Sequence, residues 1–350
     1  MSRILLVFAA FIALTAFHGN GSEPHTGGDV PVVRENIRGQ KKTASNVPAA
    51  PEYAGSNIPP KDIHEGHEPP FFASPATSPN YSGISRQVLP ADQCSIANKA
   101  FLVGEELVYK IYYNWNFIWM SAGELTFRVR DAGSRYHITA TGSTYPSYDW
   151  FFKVRDKYEV YLDKSTLLPV ASSREVEEGG YRLYDKLTFD QASRKVTSVR
   201  GKTREVAETA EYNVDPCMHD ILSIVYFTRN LEFEKLSPGT PVPIRIFIDK
   251  KVWPLRIRYL GKSPEKRIHK LGKFNTLLMS PDVIKGYVFK EDDKLKIYTS
   301  DDKNRLPLMI ESPISVGSVK AVLKSYNGIR YNLSSYIPRS EKQTDADLPE

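Results

Sequence analysis

The chain has 350 residues, enough for two domains on length alone, yet 18 of its 20 Tyr, 11 of its 16 Phe and all four Trp lie between Phe101 and Tyr336. That gathering of large apolar groups argues for one folded core rather than two. The formal net charge of +6, from 47 basic and 41 acidic residues, is too evenly scattered to indicate a nucleic-acid binder. It suits weak attraction to anionic lipid headgroups or acidic glycans.

The chain opens with Met1-Ser2-Arg3, an apolar run from Ile4 to Phe17, and His18-Gly19-Asn20-Gly21-Ser22. One positive charge, a short apolar stretch and small residues beyond it are the pattern of a secretory signal peptide, expected over 1–21. The run is shorter than the roughly 20 residues that span a bilayer, so cleavage is expected in place of anchoring. No other stretch is apolar enough to span, so no transmembrane segment is expected after cleavage.

Residues 22–93 hold 11 of the 24 Pro, mixed with Gly, Ser, Asn and charged residues, as in Ile58-Pro59-Pro60-Lys61 and Glu68-Pro69-Pro70. Such a segment buries too little apolar surface to offset its chain entropy, and it reads as a disordered spacer. A single β-rich domain is expected over 94–338, with a disordered polar tail at 339–350.

From Phe101 onward the dominant signal is alternation. Leu107, Tyr109, Ile111 and Tyr113 share one strand face, as do Leu125, Phe127 and Val129, and then Tyr158, Val160 and Leu162. Ile244, Ile246 and Ile248 repeat the pattern, followed by Leu255, Ile257 and Tyr259. Period-two patterning in Tyr, Val, Ile and Thr marks half-buried antiparallel strands. Turn residues separate them at Asp131-Ala132-Gly133-Ser134, Glu178-Gly179-Gly180, Asp249-Lys250-Lys251 and Asp301-Asp302-Lys303-Asn304. The fold expected is all-β with one main helix: a large curved antiparallel sheet, half-barrel-like or closed in part.

The helix is predicted from Asp215 as cap and Pro216 in the first turn, through Ile221, Leu222, Val225 and Thr228, to about Leu231. It is expected to lie in the concavity of the sheet. Cys94 and Cys217 are the two cysteines, and in an oxidising compartment an even pair reads as a disulfide. That bridge ties the predicted first turn of the helix to the start of the sheet.

The run Phe101-Leu102-Val103-Gly104-Glu105-Glu106-Leu107-Val108-Tyr109 resembles the opening of an exported bacterial family known as domain of unknown function 3108. Further matches in the family's order are Ala122-Gly123, Val154-Arg155-Asp156, Leu168-Pro169, Asp220-Ile221-Leu222-Ser223 and Ser300-Asp301-Asp302 with Arg305 and Pro307. The resemblance covers about residues 95–335. It implies a β-rich fold with a concave sheet, similar in outline to periplasmic lipoprotein carriers, and it carries no catalytic residue.

No catalytic constellation is expected. Cys217, His219 and Asp220 stand together, but two residues apart on a helix point about 200° from each other, and a disulfide consumes the thiol. His64 and His67 fall in the spacer and lack a fold to hold a third ligand, so neither metal nor cofactor is expected. Asp149 and Asp156, Glu105-Glu106 and Asp301-Asp302 are the carboxylates from which a hydrolase of envelope glycans would draw, as an alternative. Asp-Asp is more often a turn, and Glu105-Glu106 begins a strand.

The aromatic segments are the better binding candidates. Trp115, Phe117 and Trp119 sit at one strand junction and Tyr148 and Trp150 at another, with Arg155 and Arg229 as anion contacts. The expected function is a non-catalytic envelope protein that binds an apolar or glycan ligand in a concave sheet lined by these aromatics. Its expected partners are lipid, glycan or another envelope protein, the last bound at a sheet edge in a third reading. Nucleic acid is not among them.

Overall fold

A computed structural model describes residues 94–115, 118–282, 294–313 and 317–338. The expected signal peptide, the spacer at 22–93 with His64 and His67, and the tail at 339–350 lie outside the described residues. In chain order the strands are β1 (Glu106–Trp115), β2 (Ile118–Ala132), β3 (Arg135–Thr144), β4 (Arg155–Asp163), β5 (Pro169–Glu178), β6 (Tyr181–Asp190), β7 (Lys195–Gly201) and β8 (Glu208–Asn213). The second series is β9 (Pro241–Ile248), β10 (Lys251–Ile268), β11 (Gly272–Pro281), β12 (Lys296–Ser300), β13 (Pro307–Pro313), β14 (Ser318–Asn327) and the short β15 (Tyr336–Ile337).

All of them join one antiparallel sheet in the order β8-β7-β6-β5-β4-β3-β2-β1-β14-β13-β12-β11-β10-β9, with β15 attached to β11. Two meanders therefore meet where β1 pairs with β14. The sheet is open, with β8 and β9 as its edges. Alternation explains the strands: in β4, Tyr158, Val160 and Leu162 are buried while Lys157 and Tyr161 face solvent. Each predicted alternating set lies on the buried face of its strand.

The two ends of the sheet approach each other without pairing. Asp249, in the β9–β10 turn, reaches Arg174 of β5 at 2.9 Å and Arg200 of β7 at 2.8 Å. Asp185 of β6 completes a buried four-charge cluster with the same two arginines. The segment after β8 runs along the other edge, where His219 N donates to Arg245 O at 3.0 Å and Phe247 N donates to His219 O at 2.8 Å. Gln191, from the β6–β7 turn, bonds both the N–H and the carbonyl of Met218. Cys217 in this segment is bridged to Cys94, with a Cα separation of 4.7 Å.

Two α-helices are present among the described residues. The first, α1 (Pro146–Asp149), is a single turn between β3 and β4; the second, α2 (Ile221–Thr228), lies in the concavity with Ile221, Leu222, Ile224, Tyr226 and Phe227 buried. The predicted cap at Asp215 is corrected to Asp220. Its carboxylate accepts from Ser223 N at 2.8 Å while Ser223 Oγ accepts from Asp220 N at 2.9 Å, a reciprocal capping box. Asp215 and Pro216 precede the helix in the edge-covering segment, and so does Cys217, whose φ of 62° is left-handed. The helix is also shorter than predicted, ending at Thr228. Beyond it, Asn230 Oδ1 accepts from Lys99 N at 2.6 Å and Ala100 N at 3.1 Å, tying the helix end to the chain leading into β1.

Candidate functional site

The concavity is not filled completely. Between α2 and the β9–β13 side of the sheet lies a cavity of about 110 Å³, lined by Ile221, Val225, Leu255, Met279, Ile297 and Ile310 among others. α2 turns Ile221, Ile224 and Val225 toward it because these positions recur at helical spacing, while β9 to β13 supply the facing side chains. The lining is almost wholly apolar. Such a space holds a water poorly, since a buried water needs two to four polar partners.

Charged groups stand at its margins, already paired. Asp282 receives Arg256 Nε at 2.8 Å and Arg258 Nη1 at 2.7 Å. Arg305 Nη2 contacts Glu234 Oε2 at 2.5 Å. These pairs frame an apolar interior without placing an unbalanced charge in it. The cavity could take a short stretch of aliphatic chain, being of the order of the ~150 Å³ cavity that admits benzene in another protein.

The aromatics expected to line one concave surface are distributed otherwise. Trp119 is exposed on the face of β2 opposite to the core, opposite Asn114 in the register, with Lys320 Nζ 4.4 Å from its ring centre. Trp150 follows α1 and is 84% exposed. Tyr148 is buried in the core, and its hydroxyl is pushed up to about 12 by burial and by the neighbouring Tyr113. Trp115 ends β1, its side chain outside what the structure describes, and Phe117 lies outside the described residues. An odd-to-even change at the β1–β2 bulge, between Ile111 and Tyr112, and the turning of the chain at α1 separate these side chains.

The two candidate anion contacts are both engaged. Arg155 Nη2 lies 2.5 Å from Asp149 Oδ2, and this pairing holds the Asp149 carboxyl below the usual carboxylate range. Arg229 is among the lining residues of the cavity, but its guanidinium is taken up by Glu105 and by the carbonyl of Asn304, which removes it as a free receptor.

Among the carboxylates weighed for hydrolysis, Asp301 meets Lys262 at 2.9 Å, and Asp302 accepts from Ser300 and Asn304 within its turn and from Ser335 just before β15. Asp156 behaves differently. Burial raises it to about 7, and its neighbour Glu178, diagonal to it on β5, is raised as well by burial and by Asp156. His219 is neutral, lowered to about 3 by burial, with Nδ1 3.1 Å from Ser223 Oγ. Among the described residues no group of three or more His, Cys, Asp or Glu could hold a metal ion. No helix among them is long and apolar enough to cross a membrane.

Sequence reasoning named Ile221, Val225, Leu255 and Ile257 as core positions and missed that they bound a cavity. No local signal distinguishes the two, because an apolar side chain facing space and one facing a neighbour have the same pattern. Met279, Ile297 and Ile310 carried no separate signal.

Three solved structures match the chain, each at low identity and with a TM-score below 0.5. A β-barrel-like protein of domain of unknown function DUF1849 from Brucella abortus is 7% identical, the match covering 65% of this chain and 98% of that one with a TM-score of 0.46. An inferred lipoprotein from Parabacteroides distasonis is 10% identical, over 67% and 99%, with a TM-score of 0.24. An inferred exported protein with a YmcC-like fold from Bacteroides fragilis is 12% identical, over 67% and 100%, with a TM-score of 0.25. No curated protein matches the chain. The match that identifies it runs from within β1 to within β14, across both meanders and the helix between them: over residues 108–324 the chain belongs to the DUF3108 family, proteins of unknown function.

Proposed function

We propose that this chain is an exported, non-catalytic envelope protein that binds an aliphatic ligand, such as part of an acyl chain, in the cavity beneath α2. The observation that carries the reading is the space itself. Interiors are normally packed to crystal density, and an unfilled apolar cavity lowers stability in proportion to its volume. Here it is bounded by α2 on one side and five strands, β9 to β13, on the other, with no buried charge left unbalanced inside. Export is supported by the Arg3, Ile4–Phe17 and Gly19–Gly21 pattern and by the Cys94–Cys217 bridge, which suits an oxidising compartment.

The test is displacement of a fluorescent fatty-acid probe by unlabelled fatty acids of increasing length, read beside the melting temperature. Val225→Phe and Leu255→Phe should fill the cavity, weaken probe binding by about tenfold or more, and leave the fold intact. Probe binding unchanged in both folded variants would sink the proposal. Binding that is lost only when the fold is lost would count equally against it.

A further inference from the structure

Two connections leave the same end of the sheet with apolar side chains in solvent. β2 begins there with Ile118, 65% exposed, and Trp119, 42% exposed. β3 ends there too, because Gly123 of β2 pairs with Thr144, and the α1 connection that follows presents Trp150. Trp150 is not a loose side chain on a loose loop. Its ring meets Phe151 edge-on at 5.8 Å, and Phe151 and Phe152 pack against the core. Phe152 in turn covers Gly179 of the β5–β6 turn so closely that a Cβ there would come within 2.7 Å of its ring. Gly179 also has a φ of 56°, so the seat under Phe152 depends on glycine twice over.

Cations flank both indoles. Lys320 Nζ lies over the Trp119 ring. Beside the Trp150 connection, Lys153 and Arg182 share one carboxylate, Glu177, at 3.3 and 3.9 Å, which leaves positive charge in excess. Arg155 is neutralised by Asp149, and Lys320 also reaches Glu311 at 3.3 Å. The chain as a whole is +6.

An indole with an adjacent ammonium or guanidinium suits the boundary between hydrocarbon and headgroups, where the ring body is buried and the polar atoms stay wet. Two separate tips at one end of a sheet can rest together on a planar surface. A protein partner would instead require a contiguous face between them. We propose that this end of the sheet docks on the headgroup layer of an anionic phospholipid bilayer, with Trp150 and Trp119 at the interface and Lys153, Arg182 and Lys320 facing phosphates. This surface is distinct from the cavity, and the proposal stands whether or not the cavity binds an aliphatic chain.

The experiment uses the full chain with vesicles of phosphatidylcholine, alone or mixed with phosphatidylglycerol, carrying brominated acyl chains. All four tryptophans lie at or beyond residue 115, so quenching of their emission reports on the folded region and is blind to the apolar run at Ile4–Phe17. Emission should be quenched on the phosphatidylglycerol vesicles and less so on phosphatidylcholine alone. Trp150→Ala, at a solvent-exposed position, should keep the melting temperature and lower partitioning about tenfold, read from the remaining tryptophans. Trp119→Ala should act in the same direction.

Absence of quenching on any vesicle would overturn the proposal, as would wild-type partitioning in both variants. Binding that depends on salt alone and ignores both substitutions would assign attachment to charge and overturn the aromatic contact. A concentration-dependent dimer that Trp150→Ala abolishes, without vesicle binding, would assign the surface to a second copy of the chain and reject the bilayer.

Discussion

Arg229 and Glu105 form a two-pronged ion pair sealed from water, Nη1 to Oε1 at 2.5 Å and Nη2 to Oε2 at 2.8 Å, with side chains 2% and 0% exposed. The pair joins the end of α2 to the entry of β1. Arg229 also donates to Asn304 O from Nε and Nη2, and its guanidinium lies 5.3 Å from the ring centre of Tyr226 and 5.6 Å from that of Phe101. With every prong satisfied, the pair fixes where the helix sits over the sheet.

Removing one partner strands a charge in the core. Arg229→Met should cost about 3–5 kcal/mol in urea unfolding. The double variant Glu105→Leu with Arg229→Met should recover much of that loss, because no unpaired charge remains. A single-variant loss below about 1 kcal/mol would show that water reaches Glu105 and that the pair is not sealed.

The Asp249 carboxylate links the two ends of the open sheet through Arg174 and Arg200. Asp249→Ala leaves two buried guanidiniums against Asp185 alone, and a loss of roughly 3 kcal/mol is expected. Hydrogen exchange should locate the damage. Protection should fall first in β5 to β7 and in the β9–β10 turn, where the ends meet, and least in β1 and β14. A uniform loss over all strands would mean the junction opens only with the whole domain.

Cys94 and Cys217 close a loop with a sequence separation of 123. In the chain-entropy account such a crosslink contributes about 4–5 kcal/mol, acting mainly on the unfolded chain, and less is often measured. Replacing both by Ser, or adding reductant, should lower the unfolding midpoint. Fatty-acid probe binding should persist in the native state, since neither cysteine lines the cavity. Loss of probe binding in a folded, reduced protein would show that the bridge positions α2 directly.

The Asp156–Glu178 pair predicts a pH dependence with a definite sign. Both carboxyls are raised in the folded state, Asp156 to about 7, chiefly by burial. A raised folded value means the folded state holds protons more tightly than the unfolded chain does. The contribution is fully present below the ordinary carboxylate range and is lost as pH rises through about 7. His219 acts in the opposite sense, because its lowered value favours folding above pH 6.5 and loses that benefit as pH falls toward 3. Asp156→Asn should therefore flatten the loss of stability between pH 5 and 8, on the order of a few kcal/mol, without changing the acid limb. Parallel melting curves for the variant and the wild type across that range would contradict the assignment.

Much of this architecture is legible in the amino-acid sequence. The strand faces of β1, β2, β4, β9 and β10 follow from alternation at Leu107–Tyr113, Leu125–Val129, Tyr158–Leu162, Ile244–Ile248 and Leu255–Tyr259, because side-chain direction in a strand is a local property. The pairing of Cys94 with Cys217 needed only their number and the expected compartment. The helix was visible from its apolar spacing, but its start was misplaced. Asp215-Pro216 and Asp220 are both credible local caps, and the choice falls to the β9 edge, which takes His219 into a bridge with Ile246 immediately before Asp220.

The site depends on what faces what. Arg229 reads as an anion receptor in the sequence, but Glu105, 124 residues earlier in the chain, packs against it and occupies its guanidinium. Trp119 and Trp150 looked like parts of one lining until a bulge in β2 and the turn at α1 sent them to the surface. The cavity lies between residues of α2 and of five strands that follow it in the chain, and packing at each is a property of its neighbours in space. Periodicity records which way a side chain points. It holds no information on whether another side chain meets it there, and in this protein that difference separates the core from the candidate site.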